Sequence, residues 1–271
     1  MSRERMRVVV AFLVLAGCAD DRETFFVRQV QAPADDCTIT PERNATFMTG
    51  GTADVMFLDG AGNPPDFELN PLIENQMVAR ADADFLRTES NGVQVDGAIV
   101  NIYSTEDRDT PPEETDPVLR FFSYASSYVE PTNVGVSSFV AIPSEYLRTR
   151  YEELCGIPTD ASSREAQEDF DPSQALVLVG VKVQGLTNGG VAVETPEFFF
   201  PVDLCCGCLV ACTAEADDPD QPGGDCCVSS APTEGACNPG QDVGVDCRFC
   251  RDAASPLLNL MCHCGFTGLC P

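Results

Sequence analysis

The stretch that decides the predicted fold is residues 175–202, ALVLVGVKVQGLTNGGVAVETPEFFFPV. Within it, VKVQ at 181–184 alternates apolar and polar side chains, which is the period of a strand with one face in a core. The glycine-containing run 185–190 supplies a turn, and apolar residues resume after it. We therefore expect residues 175–184 and 191–202 to form an antiparallel β-hairpin.

Five more runs outside this hairpin are rich in Val, Ile and Phe, which favour strands. They are residues 54–59, 76–80, 93–103, 118–124 and 134–142. Seven short strands separated by turn-forming residues are typical of a β-sandwich. The sequence therefore predicts an all-β fold, an antiparallel and immunoglobulin-like β-sandwich.

One short helix is expected over residues 144–154. Ser144 can cap its N-terminus, and Leu147, Tyr151 and Leu154 share one face because they are spaced by one helical turn. This helix is expected to lie across one end of the sandwich.

A short apolar run near the N-terminus, residues 8–16, follows three arginines and is closed by Cys18. The spelling LAGC at 15–18 resembles the lipobox of Gram-negative bacterial lipoprotein signal peptides. The apolar run is nine residues long, whereas a helix needs roughly 20 residues to cross the hydrocarbon layer. We therefore expect residues 1–17 to be a signal peptide that is removed, not a permanent membrane span.

This resemblance implies a lipid on the sulfur of Cys18, which would hold the protein to a membrane. Two or three acyl chains anchor a protein stably, at roughly 0.8 kcal/mol per buried CH₂. Ala19 follows the cysteine, which in such lipoproteins accompanies export to the outer membrane, although Asp20 leaves that sorting open. Residues 18–36 would form the lipidated tether, in which FFV at 25–27 is apolar enough to dock on the body or to add a strand.

The cysteines divide the chain into two regions. Of the fifteen cysteines, only Cys37 and Cys155 lie between Cys18 and residue 205, whereas twelve crowd into residues 205–270. An even number apart from Cys18 predicts a disulfide framework in an exported chain. We expect Cys37 to pair with Cys155 and the tail to close on itself. The fourteen cysteines expected in disulfides are Cys37, Cys155, Cys205, Cys206, Cys208, Cys212, Cys226, Cys227, Cys237, Cys247, Cys250, Cys262, Cys264 and Cys270.

The tail, residues 204–271, has few large apolar side chains among many Gly, Pro and Asp residues. Cross-links must therefore replace a core, which predicts a small, loop-dominated, disulfide-rich module after a β-sandwich domain of residues 37–203. CGCLV at 206–210 resembles a feature of uncharacterised cysteine-rich envelope lipoproteins of bacteria. That resemblance implies no activity.

The chain is strongly acidic, with a formal net charge of −27, yet 44% of its residues are apolar. The apolar fraction is sufficient for a packed core. A body of this charge repels nucleic acids and anionic headgroups, so no nucleic-acid partner is expected.

Catalytic patterns are weak in this sequence. The one histidine, His263, lies between Cys262 and Cys264 in the tail, a poor place for the general base of a serine or cysteine hydrolase. No G-x-S-x-G, H-E-x-x-H or P-loop motif occurs in the sequence. A carboxylate pair could still hydrolyse a polymer, but the chain has no Trp to stack on sugar rings. We expect no catalytic residue.

Three groups of residues can be compared with known metal sites by their spacing. Cys247, Cys250, Cys262 and Cys264 would suit zinc or a redox dithiol, but the surrounding cysteine density favours disulfides. The acidic residues in 217–225, and separately those in 59–63, do not match the calcium-binding D-x-D-x-D-G loop. No metal and no cofactor are therefore expected.

The expected function is that of a lipid-anchored protein of the cell envelope that acts as a binding or structural module. The membrane is its partner through Cys18, and a protein of the envelope is a further candidate partner. The alternative is an anchored hydrolase with two carboxylates, which perturbed acidic residues in a deep cleft would favour. A third interpretation places partner recognition in the bridged tail, since bridged loops lose little entropy on contact.

Overall fold

A computed structural model describes most of the chain between Thr24 and Asp246. The described ranges are residues 24–34, 36–57, 63–81, 88–105, 116–155, 174–211, 237–238, 240–243 and 245–246. They are mostly strand, as predicted, with one short helix among them. A helix with the length and apolarity to span a membrane is not found in these ranges.

The elements follow each other along the chain as fourteen strands and one helix within the described ranges. They are β1 (Phe25–Gln31), β2 (Phe47–Met48), β3 (Gly51–Asp54), β4 (Phe67–Leu69), β5 (Pro71–Asn75), β6 (Val93–Ser104), β7 (Leu119–Val129), β8 (Asn133–Val136), β9 (Phe139–Ile142), α1 (Ser144–Cys155), β10 (Ala175–Thr187), β11 (Ala192–Glu194), β12 (Phe198–Cys205), β13 (Val210–Ala211) and β14 (Val245–Asp246).

The largest sheet has the strand order β3-β12-β10-β6-β7, and β11 also pairs with β10. Its pairs are antiparallel except for β12 with β3, which is parallel. The predicted hairpin is confirmed, because β10 turns back at Asn188 into β11 and then β12. The returning chain is split, however, by the non-strand segment 195–197, since Pro196 interrupts regular pairing.

Alternation places one face of β10 in the core. Val177, Val179, Val181 and Val183 are all buried, while Lys182 lies on the opposite face. Burial of each valine contributes roughly 1.5–3 kcal/mol relative to exposure. The pattern that predicted the strand therefore also explains its stability.

A bulge in β6 explains why its core-facing residues are at odd positions in the first part of the strand and at even positions in the second part. The pairing with β7 shifts between Val95 and Gly97, so that Val93 and Val95 face the core before it and Ala98 and Val100 after it. Gly97 has φ 156°, and a Cβ there would collide with the Ser123 carbonyl. Glycine is thus required at this bulge.

A four-stranded sheet, β2-β1-β5-β8, lies beside the larger one, and β4 pairs separately with β9. The apolar segment 25–27 forms the first part of β1 and pairs with β5, which confirms that this segment adds a strand to the body. Buried side chains of both sheets and of α1 belong to one hydrophobic core. The helix occupies nearly its predicted range, with Leu147, Tyr151 and Leu154 buried.

Two strand predictions were displaced along the sequence. Of the predicted strand at 54–59, residues 54–57 are described, and only Asp54 among them is in a strand, because its carboxylate accepts the Met56 N–H and forms a turn. The predicted strand at 76–80 is not one, whereas Pro71–Asn75 is strand β5. Proline is tolerated at the first residue of a strand, so Pro71 did not mark a break.

The predicted pairing of Cys37 with Cys155 is wrong. Cys37 is bonded to Cys237, and Cys155 is bonded to Cys206. Because Cys155 ends α1 beside the end of β12, its nearest cysteine comes from the tail. The tail therefore does not close only on itself but is joined twice to the first region.

The segment 237–243 is also held to the strands by hydrogen bonds. The Gln241 side-chain amide accepts the Glu68 N–H at 2.9 Å and donates to the Glu68 carbonyl at 2.6 Å. Asp242 Oδ1 accepts the Thr52 N–H at 2.6 Å. These bonds fix part of the cysteine-rich tail against β3 and β4.

Candidate functional site

The face of the largest sheet opposite its buried valines carries the densest group of functional side chains that the structure describes. We call it the outer face. It comprises Ile99, Asn101, Tyr103, Arg120, Phe122, Tyr124, Gly180, Lys182 and Phe199, which lie side by side in the strand register, together with Glu197 above them.

Glu197 stands at the centre of this face. Asn101 Nδ2 donates to Glu197 Oε1 at 2.7 Å, and the Tyr103 hydroxyl donates to the same oxygen at 3.0 Å. Lys182 Nζ lies 3.7 Å from Glu197 Oε2. A Cβ at position 180 would collide with the Glu197 carboxylate, so Gly180 creates the space that this carboxylate fills.

The network keeps Tyr103 protonated. Burial, followed by the hydrogen bond to Glu197 and the negative charge of that residue, raises the pKa of Tyr103 to about 12. The hydroxyl is therefore a hydrogen-bond donor at neutral pH and a poor base or nucleophile. The arrangement suits a rigid polar platform better than proton transfer.

One acceptor in the network has no partner among the described residues. Asn101 is 5% exposed, and its Oδ1 makes no hydrogen bond there, while its Nδ2 is used by Glu197. An unsatisfied buried acceptor costs about 1–3 kcal/mol. A donor from a ligand or from water would recover this cost.

Aromatic side chains continue the outer face toward β7. Phe122 and Tyr124 meet edge to face with ring centroids 4.9 Å apart, and Tyr124 is 86% exposed. On the other side of Glu197, the Tyr103 and Phe199 rings are 5.9 Å apart. Tyr128, further along β7, accepts a hydrogen bond from Asn188 Nδ2 at 2.9 Å.

Strand β7 lies at the edge of this sheet. In the described part of the chain it pairs with β6 alone, and its eleven residues carry a single charge, on Arg120. Natural edge strands commonly carry charges or prolines that prevent pairing with other chains. This edge is instead polar and aromatic.

A second group of chemically capable residues lies where β3 and β12 end. Asp54 Oδ1 accepts the Gly207 N–H at 2.8 Å, and Oδ2 accepts the Leu209 N–H at 2.9 Å. Burial raises the pKa of Asp54, and these backbone hydrogen bonds oppose the rise. A carboxylate oxygen of Asp54 and the sulfurs of Cys205 and Cys208 lie within 4.8 Å of one another.

Three such atoms could ligate a metal ion if both sulfurs were thiolates. Cys205 and Cys208 are instead joined as a disulfide. Bonded sulfur is a poor ligand, so the group in this form is a disulfide beside a buried carboxylate.

The predicted site residues are only partly within the described ranges. Of the predicted disulfide cysteines, six are paired, as Cys37 with Cys237, Cys155 with Cys206 and Cys205 with Cys208. Those outside the described residues are Cys212, Cys226, Cys227, Cys247, Cys250, Cys262, Cys264 and Cys270, as are Cys18 and His263. The acidic residues of 217–225, which do not match a calcium-binding loop, also lie outside, as do residues 59–62 of the 59–63 segment.

Sequence reasoning missed both groups of residues. The C-x-x-C spacing of Cys205 and Cys208 was visible but was obscured by the adjacent Cys206. Glu197 lay in a segment interpreted as continuous strand, and no local pattern marks it. Asp54 was likewise assigned to a strand, although it ends one.

Comparison with known proteins adds no family to these observations. No protein-family model matches the chain, and no curated protein matches it in sequence.

Proposed function

We propose that this chain is an exported, lipid-anchored binding module that holds a protein partner of the cell envelope against the outer face. The observation that carries the proposal is the 86% exposure of Tyr124, beside Phe122, on a strand that pairs with β6 alone in the described part of the sheet. Aromatic side chains are enriched at the centres of protein interfaces.

The exposed aromatic rings contribute little to the fold. Tyr124 is outside the core and Phe122 lies half-buried over the Gly97 bulge. Since these ring surfaces stay exposed in the folded chain, their burial by a partner would contribute favourable hydrophobic free energy to binding. Their position on β7, whose second edge has no strand partner among the described residues, allows a partner chain to contact rings and backbone together.

The polar centre supports specificity. Glu197 is held by an amide, a phenol and an ammonium group, so its position is fixed before any partner arrives. Asn101 Oδ1 adds an acceptor without a partner among the described residues. Preorganised polar groups of this kind discriminate between partners, because a mismatched one leaves them unpaired.

The alternative of a hydrolase with two carboxylates has less support. Glu197 contacts no second carboxylate among its described partners. Burial raises the pKa of Asp54 and of Asp242, but both carboxylates accept backbone N–H groups, Asp54 from Gly207 and Leu209 and Asp242 from Thr52. Neither pattern resembles an acid and a base placed on either side of a scissile bond.

The immunoglobulin-like sandwich and the location belong to the same proposal. Two sheets that share one core support a layered arrangement. The lipobox spelling at 15–18 supports an anchor on Cys18 and an outer-membrane location. A Cys18→Ser variant expressed in a Gram-negative host should lose the acyl mass and leave the membrane fraction; unchanged sedimentation would refute the anchor.

The binding role is tested by crosslinking in envelope extracts of the source cells. Tyr124→Ala should lower recovery of a specific protein partner at least ten-fold without changing the thermal midpoint. Phe47→Ala is the matched control, since Phe47 is an aromatic residue 56% exposed on the other sheet. Equal recovery by wild type and Tyr124→Ala would refute the proposed face, and hydrolysis of an envelope polymer that Glu197→Gln abolishes would favour the enzyme.

A further inference from the structure

The disulfide between Cys205 and Cys208 has one buried and one accessible sulfur. Cys205 ends β12 and is 2% exposed, whereas Cys208 is exposed in the following turn. An external thiolate can therefore reach Cys208 but not Cys205. Attack on one defined sulfur is what ordered thiol–disulfide exchange requires.

A carboxylate lies beside both sulfurs. Asp54 comes from β3, 151 residues before Cys205, and one of its oxygens is within 4.8 Å of each sulfur. Its other contacts are the N–H groups of Met56, Gly207 and Leu209. These bonds hold the turn that carries Cys208 in place while leaving the carboxylate adjacent to the bond that would open.

The other two described disulfides differ in ways that suit structural roles. Cys155 and Cys206 are both buried, so their bond is shielded from thiols. Cys37 and Cys237 are separated by 200 residues, so their bond restrains a long loop. Cys205 and Cys208 are only three residues apart, so opening their bond releases little chain.

We infer that Cys205–Cys208 is a redox-active disulfide that takes two electrons from a dithiol on another exported protein, with Asp54 positioned to exchange a proton with Cys205. The activity is separate from the outer face and does not depend on it.

The exchange balances as two successive substitutions at sulfur. A thiolate of the partner attacks Cys208 Sγ, a partner–Cys208 disulfide forms, and the bond to Cys205 breaks. Cys205 Sγ leaves with the electron pair and takes a proton from Asp54. The second partner thiolate attacks the partner sulfur held by Cys208, which closes the partner's disulfide and releases Cys208 as a thiolate.

Two electrons thus pass from the partner to the protein. The two protons lost by the partner's thiols match those gained by Cys208 and by Asp54, which regains the proton it gave to Cys205. An external disulfide, such as oxidised glutathione, restores Cys205–Cys208 by the reverse steps. Asp54 is a positioning residue in this scheme, since it acts through Cys205.

The charge on Asp54 gives the exchange a distinctive pH dependence. Burial raises the pKa of Asp54, and no charged side chain is among the causes of that shift. The neighbouring segment 240–243 brings Asp242, whose carboxylate is turned to the Thr52 N–H. Protonated Asp54 supplies a proton to the departing Cys205, whereas ionised Asp54 repels its developing charge. The rate per attacking thiolate should therefore fall as pH rises through the pKa of Asp54.

The experiment uses the full oxidised chain in glutathione buffers of graded ratio, with differential alkylation and mass spectrometry of each cysteine. Cys205 and Cys208 should become open to alkylation at a reduced-glutathione concentration at least ten-fold lower than the one that opens the disulfides of Cys155, Cys206 and Cys37. The Cys205–Cys208 disulfide should form again when the protein is returned to oxidising buffer. Opening at the same or a higher concentration than the other pairs would overturn the inference.

A two-cysteine peptide serves as the partner dithiol. The wild-type protein should oxidise one equivalent of the peptide at Cys205–Cys208. The Cys205→Ala/Cys208→Ala variant should lose the peptide oxidation that mass spectrometry assigns to this disulfide. A Cys205→Ser variant leaves Cys208 as a thiol, which should attack the oxidised form of the peptide, displace one of its two sulfurs as a thiolate and hold the peptide as a mixed disulfide on Cys208. Failure to trap it in a variant with native circular dichroism would overturn the assignment of the attacked sulfur.

Asp54→Asn separates positioning from structure. This variant should remove the pH dependence of the rate per thiolate that wild type shows above the ordinary aspartic acid pKa of about 3.9. Asp54→Asn/Cys205→Ser should still hold the oxidised peptide as a mixed disulfide on Cys208. A pH profile identical to that of wild type would show that Asp54 only holds the turn, and would overturn its assigned role.

Discussion

Cys37 and Cys237 are joined with their Cα atoms 5.3 Å apart, although 200 residues separate them in sequence. The bond connects the segment between β1 and β2 to the cysteine-rich tail. Together with Gln241 and Asp242, it makes that part of the tail a support for β3 and β4. The tail segment is thus part of the same packed unit as the strands.

Two of the three described disulfides should differ in their contributions to stability. Replacing Cys37 and Cys237 by serine should lower the free energy of unfolding by about 5 kcal/mol, because the closed loop is long. The same replacement of Cys205 and Cys208 should cost about 2 kcal/mol, because only three residues separate them. Urea denaturation of both double variants measures the difference, and equal losses would show that loop entropy does not govern these bonds.

Gln241→Ala should lower the free energy of unfolding by about 1–3 kcal/mol, because both the N–H and the carbonyl of Glu68 lose their partner. Val243→Ala, at an exposed position in the same segment, is the control and should change stability by less than about 0.5 kcal/mol. Thermal unfolding by calorimetry compares the two variants. Similar midpoints would mean that the segment does not support β4.

Glu74 should make the protein sensitive to acid. Burial raises the pKa of its carboxyl group, but hydrogen bonds from Gln76 and Arg28 and the charges of Arg28 and Arg43 outweigh burial and lower it. Because the folded pKa lies below the unfolded one, the stabilisation is complete above the ordinary value of about 4.3 and is lost as pH falls through the folded pKa.

Glu74→Gln should therefore be less stable than wild type at pH 7, and the gap should narrow below about pH 4.3. Glu145→Gln, which removes an exposed carboxylate on α1, serves as the control. Melting temperatures measured from pH 7 to pH 2 would contradict the assignment if the Glu74→Gln gap were constant across that range.

The sequence correctly predicted the elements that produce a pattern of apolar residues within a short segment of chain. Strand β10 and helix α1 were placed almost correctly, since the alternation of 181–184 and the spacing of Leu147 and Tyr151 reflect burial on one face. The predicted strand at 134–142 is two strands, β8 and β9, which pair in different sheets. Ser137, buried between them, gave no indication of that change of partner.

The candidate sites could not be predicted from the sequence, because their residues meet only through strand pairing. The Glu197 network joins residues 94 and 96 positions apart, and its geometry follows from the register of β6, β10 and β12. Asp54 reaches Cys205 only because β3 pairs in parallel with β12. Spacing along a chain carries no information about such contacts until strand pairing is known.

Gly180 and Glu197 should be energetically coupled. A Cβ at position 180 would displace the Glu197 carboxylate, so Gly180→Ala should break its bonds to Asn101 and Tyr103 and cost about 1.5–3 kcal/mol. Once Glu197→Ala has removed the carboxylate, Tyr103 Cε2 still lies 3.1 Å from that Cβ. Gly180→Ala should then cost less than about 1 kcal/mol, because a small shift of the Tyr103 ring relieves this contact and alanine loses less backbone entropy than glycine.

The coupling is measured by a double-mutant cycle of these two substitutions, with urea denaturation of all four proteins. Gly50→Ala is the control, because its Cβ would contact only Pro201, no closer than 3.4 Å. It should change the free energy of unfolding by the same amount in wild type and in Glu197→Ala. Additive effects of Gly180→Ala and Glu197→Ala would mean that the carboxylate does not occupy the space above Gly180, and the polar centre of the outer face would then lose its physical basis.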